Sequence, residues 1–211
     1  SEKFYIEKIN INGNFNTLEE VIRNNLIVDE GDPFNEILFN KSINNIQSLG
    51  IFKKVDSDVQ KGSQDSFKII DLDVEERPTG EISVTAGFGT DGETIGAGLK
   101  ENNFLGKGIN LNTNFEITAE SIKGRFIYAK PNFNYSDNTL FTSLKSSSSD
   151  LLNNSGYKTS ELGFSLGTKF EQFQNIYLSP EIDFLIEDLE TSSKASSTIK
   201  KQEGSYTDLY F

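Results

Sequence analysis

From Gly80 to the end of the chain, apolar and polar residues alternate, and no Asp, Glu, Lys or Arg interrupts the apolar side of any alternating segment. Nothing else in the sequence limits the fold as strongly. Successive side chains of a strand point to opposite faces, so a period of two marks β structure with one apolar face. Ile82, Val84, Ala86 and Phe88 oppose Glu81, Ser83, Thr85 and Gly87. After the hairpin signal Thr90-Asp91-Gly92-Glu93, the answering strand places Ile95, Ala97 and Leu99 on one face. A third strand sets Ile109, Leu111, Thr113, Phe115 and Ile117 against Asn110, Asn112, Asn114 and Glu116, and a fourth sets Phe126 and Tyr128 against Lys123 and Arg125. A weaker fifth has Leu140 and Leu144 opposite Lys145; the sixth has Leu162, Phe164, Leu166 and Phe170 against Glu161, Ser165 and Lys169. The seventh is expected to run from Ile176 through Leu178, Ile182, Phe184 and Ile186, against Glu181, Asp183 and Glu187. No helix is expected anywhere in this region.

A water-soluble sandwich alternates in the same way. Two features favour a membrane barrel. The strands approach the length a tilted membrane strand needs, and their polar faces mix Asn, Gly and charges of both signs, as a water-filled lumen does. A charge on the lipid face at mid-bilayer costs about 2–4 kcal/mol, which gives a charge-free face in every strand a physical cause.

Composition narrows the chemistry. The 211 residues carry a formal net charge of −12, with no Cys and no His. An acidic chain is a poor partner for nucleic-acid phosphates. Without Cys or His there is no disulfide, no zinc site of the usual donors and no Ser-His-Asp arrangement. No G-x-S-x-G nucleophile elbow occurs either, so a lipase carrying such a barrel would need its catalytic domain elsewhere. Neither enzyme activity nor a cofactor or metal is expected. Gly87-Phe88-Gly89 with Gly92 lies between strands, with no helix to receive an anion. The acidic run Asp71, Asp73, Glu75, Glu76 lies on a strand whose alternate residues point apart, so no metal site is expected there.

Before the hinge Arg77-Pro78-Thr79-Gly80 the pattern differs. Pro78 removes a donor and biases Arg77 to extended geometry, so no sheet runs unbroken through it. Phe4–Ile11 reads as a strand ending at Asn12-Gly13-Asn14. Thr17-Leu18-Glu19-Glu20 fits a capping box, with Thr17 as N-cap and Glu20 reaching back. Leu18, Val21, Ile22 and Leu26 follow at helical spacing. Glu30-Gly31-Asp32-Pro33 breaks the chain, and Phe39, Ile43, Ile46 and Leu49 stripe a second helix ending at Gly50. Strands Phe52–Gln60 and Phe67–Val74 complete a β-α-α-β-β order.

ININGN, the EGDPFN turn, LGIFKKV and the stretch VEERPTGEISVTAGFGTDGETIGAGLKENNFLGKG resemble the junction between the last POTRA domain and the first barrel strands of the BamA family, the central subunits of bacterial outer-membrane protein assembly. The resemblance implies an α+β POTRA domain over residues 3–77, in the periplasm, and the N-terminal part of an antiparallel transmembrane β-barrel over 79–211, in the bacterial outer membrane. The last strand, Tyr206–Phe211, is short, so the barrel is expected to be truncated near its eighth strand; a complete eight-stranded barrel is the rival reading.

The resemblance also implies the function: folding and insertion of β-barrel proteins. Partners would be unfolded outer-membrane clients, a BamD-like lipoprotein and other subunits of the assembly complex, and outer-membrane lipid, with no nucleic acid. The first barrel strand would act as a lateral gate that pairs with a client strand. Here that strand is Gly80, Glu81, Ile82, Ser83, Val84, Thr85, Ala86, Gly87, Phe88 and Gly89. Its glycines weaken it, although crowding offers an alternative cause, as it does for Gly96, Gly98, Gly163 and Gly167. Arg23 and Glu30 stand where the family contacts the lipoprotein. The POTRA edge strand, with Lys54, Val55, Asp56 and Asp58, would accept extended peptides by β-augmentation, or its charges would simply block aggregation. The alternative function is a secretion pore of the two-partner or TamA-like type, with Lys123, Arg125, Glu181 and Asp183 lining the lumen.

Overall fold

The computed structural model describes residues 3–89 and 92–211. The hairpin positions Thr90 and Asp91 lie outside the described residues. The chain forms two compact units: one holds the residues up to Gly80 together with Asn102–Ile109, the other Glu81–Glu101 and Asn110–Phe211.

In the first unit, β1 (Tyr5–Asn12), α1 (Glu19–Arg23), α2 (Glu36–Ser48), β2 (Phe52–Lys61) and β3 (Phe67–Glu76) follow the expected order. The sheet runs β1-β3-β2, with β1 parallel and β2 antiparallel to the central β3. Bulges between Ile6 and Lys8 and between Phe52 and Lys54 shift the pleat by one residue. That shift lets Ile6 and Ile9, and likewise Phe52 and Val55, all face the core, a spacing that strict alternation forbids. Ile22, Phe39, Ile46, Ile70 and Leu72 complete the buried cluster. Asn35 caps α2 by accepting from the Ile37 and Leu38 amides, and Gly50, at φ +67°, follows its C-cap Leu49.

The first helix departs from expectation. It spans only Glu19–Arg23, its N-cap is Leu18, and no side chain caps it. Thr17 is buried and employed elsewhere, and the carboxylate that reaches the Thr17 amide belongs to Glu76, not Glu20.

The second unit is built on one antiparallel sheet. In chain order its strands are β4 (Gly80–Gly89), β5 (Gly92–Phe104), β6 (Ile109–Thr118), β7 (Ser121–Lys130), β8 (Thr139–Leu151), β9 (Tyr157–Phe173), β10 (Ile176–Leu178), β11 (Glu181–Thr191) and β12 (Gly204–Tyr210). They lie side by side from β12 and β11 through β9, β8, β7, β6 and β5 to β4, with β10 a short addition on β9. The expected seventh strand is thus split at Ser179-Pro180, because proline cannot donate to the ladder. Strands β8 and β9 also run further than their apolar signal, through pairs such as Ser149–Thr159 and Asp150–Lys158. Both faces are polar there, and only the cross-strand register reveals them. Two helical turns contradict the expectation of none: a 3₁₀ turn at Phe133–Tyr135 and a short helix α3 (Ser197–Lys200), capped by the Ser196 hydroxyl. Both are too short to show a period.

Cross-strand register collects the two faces. One row reads Thr113, Phe126, Leu144, Phe164, Phe184, Leu209; the neighbouring row on the opposite face reads Asn114, Arg125, Lys145, Gly163, Leu185, Asp208. Phe164, Phe184 and Leu209 each keep roughly half of their surface exposed, so the apolar face has no protein layer over it. On the polar face two glycines are steric necessities. A Cβ at Gly163 would run into the Lys145 side chain, and one at Gly167 into the Phe141 ring.

Candidate functional site

The residues with functional promise lie in the end strand of the large sheet, the edge of the small one, and the turn after β5. Strand β4 ends the sheet order and pairs only with β5. All ten of its residues are exposed, with Ile82 at 80%, Val84 at 78% and Phe88 at 88%. Its outer edge therefore presents backbone donors and acceptors with no partner strand among the described residues. Gly87 and Gly89 also differ from the crowded glycines of the sheet. A Cβ at Gly98 would press on Ser83 and Asn114, whereas Gly87 and Gly89 have nothing within 4 Å. Crowding therefore does not account for Gly87 or Gly89. What they do is withhold side chains and raise the entropic cost of ordering β4.

At the edge of the small sheet, Lys54, Asp56 and Asp58 face solvent while Val55 belongs to the core. Lys54 is paired with Asp56, and the hydrogen bond to Asp56 raises the Lys54 pKa. The opposite edge, β1, is covered by its own chain. The Ile6 amide donates to the Asp32 carbonyl and the Gly31 amide to the Ile6 carbonyl. Arg23 and Glu30 close the next position: the Ile9 amide donates to Glu30 Oε1 at 3.0 Å, and Arg23 donates to the Ile9 carbonyl at 3.1 Å. The two side chains are brought together, 3.7 Å apart, and Arg23 also pairs with Glu19. The resemblance marked them only as positions of lipoprotein contact; in the fold they stand in for a neighbouring strand. Among the described residues, β2 is the one edge of this sheet left uncovered.

The third feature was missed at the sequence level. The β5–β6 turn, with its LGKG residues, packs inside the first unit. The Leu18 amide donates to the Gly106 carbonyl at 2.8 Å, and Asn103 Nδ2 donates to Thr17 Oγ1 at 2.9 Å. Asn103 Oδ1 meanwhile accepts from the Gly108 amide, holding the turn in shape. Gly106 sits at φ +70°, and a Cβ there would overlap the Asn16 carbonyl oxygen. On the other side, Glu76 accepts from the Asn16 and Thr17 amides and from Asn16 Nδ2. The one available signal was the density of turn residues in Asn102-Asn103 and Gly106-Lys107-Gly108; their docking partner lies far away in sequence.

Burial would raise the Glu76 pKa, but the hydrogen bonds from Thr17 and Asn16 outweigh it and hold the carboxyl below its ordinary value of 4.5. A lowered folded-state pKa contributes stability that is present above the unfolded value and lost as pH falls through the folded one. The stability difference between wild type and Glu76→Gln should therefore be complete at neutral pH and shrink as pH drops below about 4.5. Glu76→Ala should cost about 1–3 kcal/mol, the range for stranding donors of partly buried groups. Denaturant titration of both variants across that pH range checks both statements.

Residues 4–77 match the POTRA domain model, described as surface antigen variable number repeat. Two relatives are named outer membrane protein assembly factor BamA. That of Neorickettsia risticii is 34% identical over 107 residues, covering 50% of this chain and 14% of the relative. That of Neisseria meningitidis serogroup B is 27% identical over 133 residues, covering 62% and 17%. The chain thus spans only a small part of their length. Among solved structures, BamA from Haemophilus ducreyi lacking POTRA domains 1–3 superposes with a TM-score of 0.76 at 22% identity, over 89% of this chain and 36% of that one. CdiB from Escherichia coli superposes with a TM-score of 0.70 at 14% identity, over 99% and 40%. At these identities the structures speak for the fold alone, a POTRA domain followed by barrel strands. With the POTRA match beside that fold, residues 4–77 are a POTRA domain, and the chain is similar to BamA proteins in sequence over roughly half of its length and in fold over most of it.

Proposed function

We propose that this chain is the part of an outer-membrane protein assembly factor in which a POTRA domain (3–77) meets the first strands of a membrane barrel (79–211). Its work is to fold and insert β-barrel clients in the bacterial outer membrane, without covalent chemistry. The POTRA domain lies in the periplasm and receives extended client segments at the β2 edge, through backbone pairing that is indifferent to client sequence. The lipoprotein partner meets the Arg23–Glu30 surface. Because Glu30 already accepts from the Ile9 amide, a cationic partner group shares that carboxylate rather than finding it idle.

The observation that carries the reading is the state of β4. Its glycines Gly87 and Gly89 are required by no neighbour among the described residues, whereas Gly98, Gly163 and Gly167 of the same sheet are crowded. Such a strand is a template for an incoming strand and is weakly committed to its own packing. The test is crosslinking from single cysteines along Gly80–Gly89 in the full-length protein. Capture of a stalled client's terminal strand should follow a two-residue ladder. The alternative, a secretion pore of the two-partner or TamA-like type, predicts instead that a soluble substrate is caught at polar-face positions such as Arg125 and that β4 catches nothing.

A further inference from the structure

The solvent face of the small sheet breaks a rule of strand pairing. Across β2 and β3 the register sets Asp56 directly opposite Asp73 and Asp58 directly opposite Asp71. Like charges in that position repel and destabilise a sheet. The two pairs are next neighbours on one face of both strands, so the four carboxylates form a single block. Amides reach three of them: Asn10 donates to Asp71 at 2.7 Å, Asn12 to Asp73 at 3.2 Å, and Gln60 to Asp58 at 3.1 Å. Among the described residues one cation pairs with the block, Lys54 through Asp56; Lys53 is held by Glu75 at 2.7 Å. Most of the negative charge is therefore left uncompensated. Protection of an exposed edge accounts for the acids of β2. It does not account for Asp71 and Asp73, which lie on the central strand β3. The acids also run in a line along the strands, and among the described residues no three converge as metal ligands would.

We infer that the β2 edge selects extended client segments in which lysine or arginine alternates with apolar residues. The inference rests on the reading that this edge receives clients, and it adds the class of segment taken. Backbone pairing reads no side chains, but a strand added to β2 places its side chains alternately on the two faces of the sheet. On one face they come beside Asp56 and Asp58, at the distance of a cross-strand pair. Asp73 and Asp71 stand one strand further in, and a strand spacing is well inside the Debye length of about 10 Å at 0.1 M salt. On the other face the neighbours are Val55, a core residue, and Val59, which packs against the core. Cations on the first face relieve a repulsion already built into the sheet. Carboxylates there would add to it, so the block rejects acidic segments as well as attracting basic ones.

The test uses the full-length protein and fluorescein-labelled ten-residue peptides that alternate valine with lysine, glutamine or glutamate, followed by fluorescence anisotropy. The lysine peptide should bind roughly 2–30-fold more tightly than the glutamine peptide, the factor that two cross-strand charge pairs represent. That preference should shrink as salt rises, and the glutamate peptide should bind most weakly. Changing the four residues together, Asp56→Asn, Asp58→Asn, Asp71→Asn and Asp73→Asn, should abolish the preference. Binding of the glutamine peptide to that variant reports that its edge still accepts a strand. A lysine peptide with every amide N-methylated keeps the charge but cannot pair, and it should not bind. Equal binding of the lysine and glutamine peptides overturns the selection while leaving the edge reading intact. A preference that survives the fourfold change, or undiminished binding of the N-methylated peptide, overturns it in favour of charge capture elsewhere on an acidic chain. If none of the peptides binds, the edge reading fails and the inference falls with it.

Discussion

Replacing Gly106 with alanine should release the β5–β6 turn from the first unit. A Cβ on a left-handed backbone costs about 1–2 kcal/mol by itself. Here it would also overlap the Asn16 carbonyl oxygen, which belongs to main chain and cannot swing aside like a side-chain tip. The adjacent amide of Leu18 loses its acceptor if the turn moves, and the Asn103–Thr17 contact goes with it. The loss should register as hydrogen exchange at Leu18 faster by roughly 5–30-fold, the factor that 1–2 kcal/mol represents. Gly87→Ala is the matched control, since nothing lies within 4 Å of that position. Unchanged protection of Leu18 in Gly106→Ala would show that the turn is not held as described.

Filling the two uncrowded glycines of β4 should act in the opposite sense, strengthening structure and weakening function. Gly87 and Gly89 lie on the polar face with Glu81, Ser83 and Thr85, so threonine keeps the face while adding a β-branched side chain. Each replacement removes a backbone-entropy cost of about 0.5–1 kcal/mol. Together they should favour β4 paired with β5 over the released strand by roughly 5–30-fold. If release of β4 precedes client pairing, the double variant should insert clients more slowly by a similar factor. Its own folding and its melting temperature should be no worse. The checks are client insertion into liposomes from purified protein and thermal unfolding of the same preparation. Undiminished insertion with raised stability would exclude β4 release as a limiting step.

Strand β4 and its sheet were legible because in a single-layer sheet each strand's faces are set by its own residues. Ile82, Val84, Ala86 and Phe88 share a side whatever the neighbours do, and the chain order of hairpins then largely prescribes the sheet order. The apolar face survived the passage from pattern to structure along the middle of the strands for the same reason; the longer strands of the fold carry charges on that face toward their ends, as at Glu101 in β5, Lys130 in β7, Lys158 in β9 and Glu190 in β11. The β-α-α-β-β order survived as well, where the stripe Phe39, Ile43, Ile46 needed only its own helix.

What the sequence could not show was settled by contacts between distant segments. Thr17 and Glu20 carry a valid capping signal, yet Glu76, far along the chain, reaches the Thr17 amide with better-placed oxygens, and local propensity yields to it. Arg23 and Glu30 became one device because the turn at Gly31 folds back along β1. Gly106 and Gly108 look like ordinary turn glycines until the backbone of Asn16 and the side chain of Val21 fill the space beside them. Periodicity is a property of neighbours along the chain, and it reports which face is buried. Which backbone atom arrives against that face, and therefore which glycine is irreplaceable, is decided only when the segments pack.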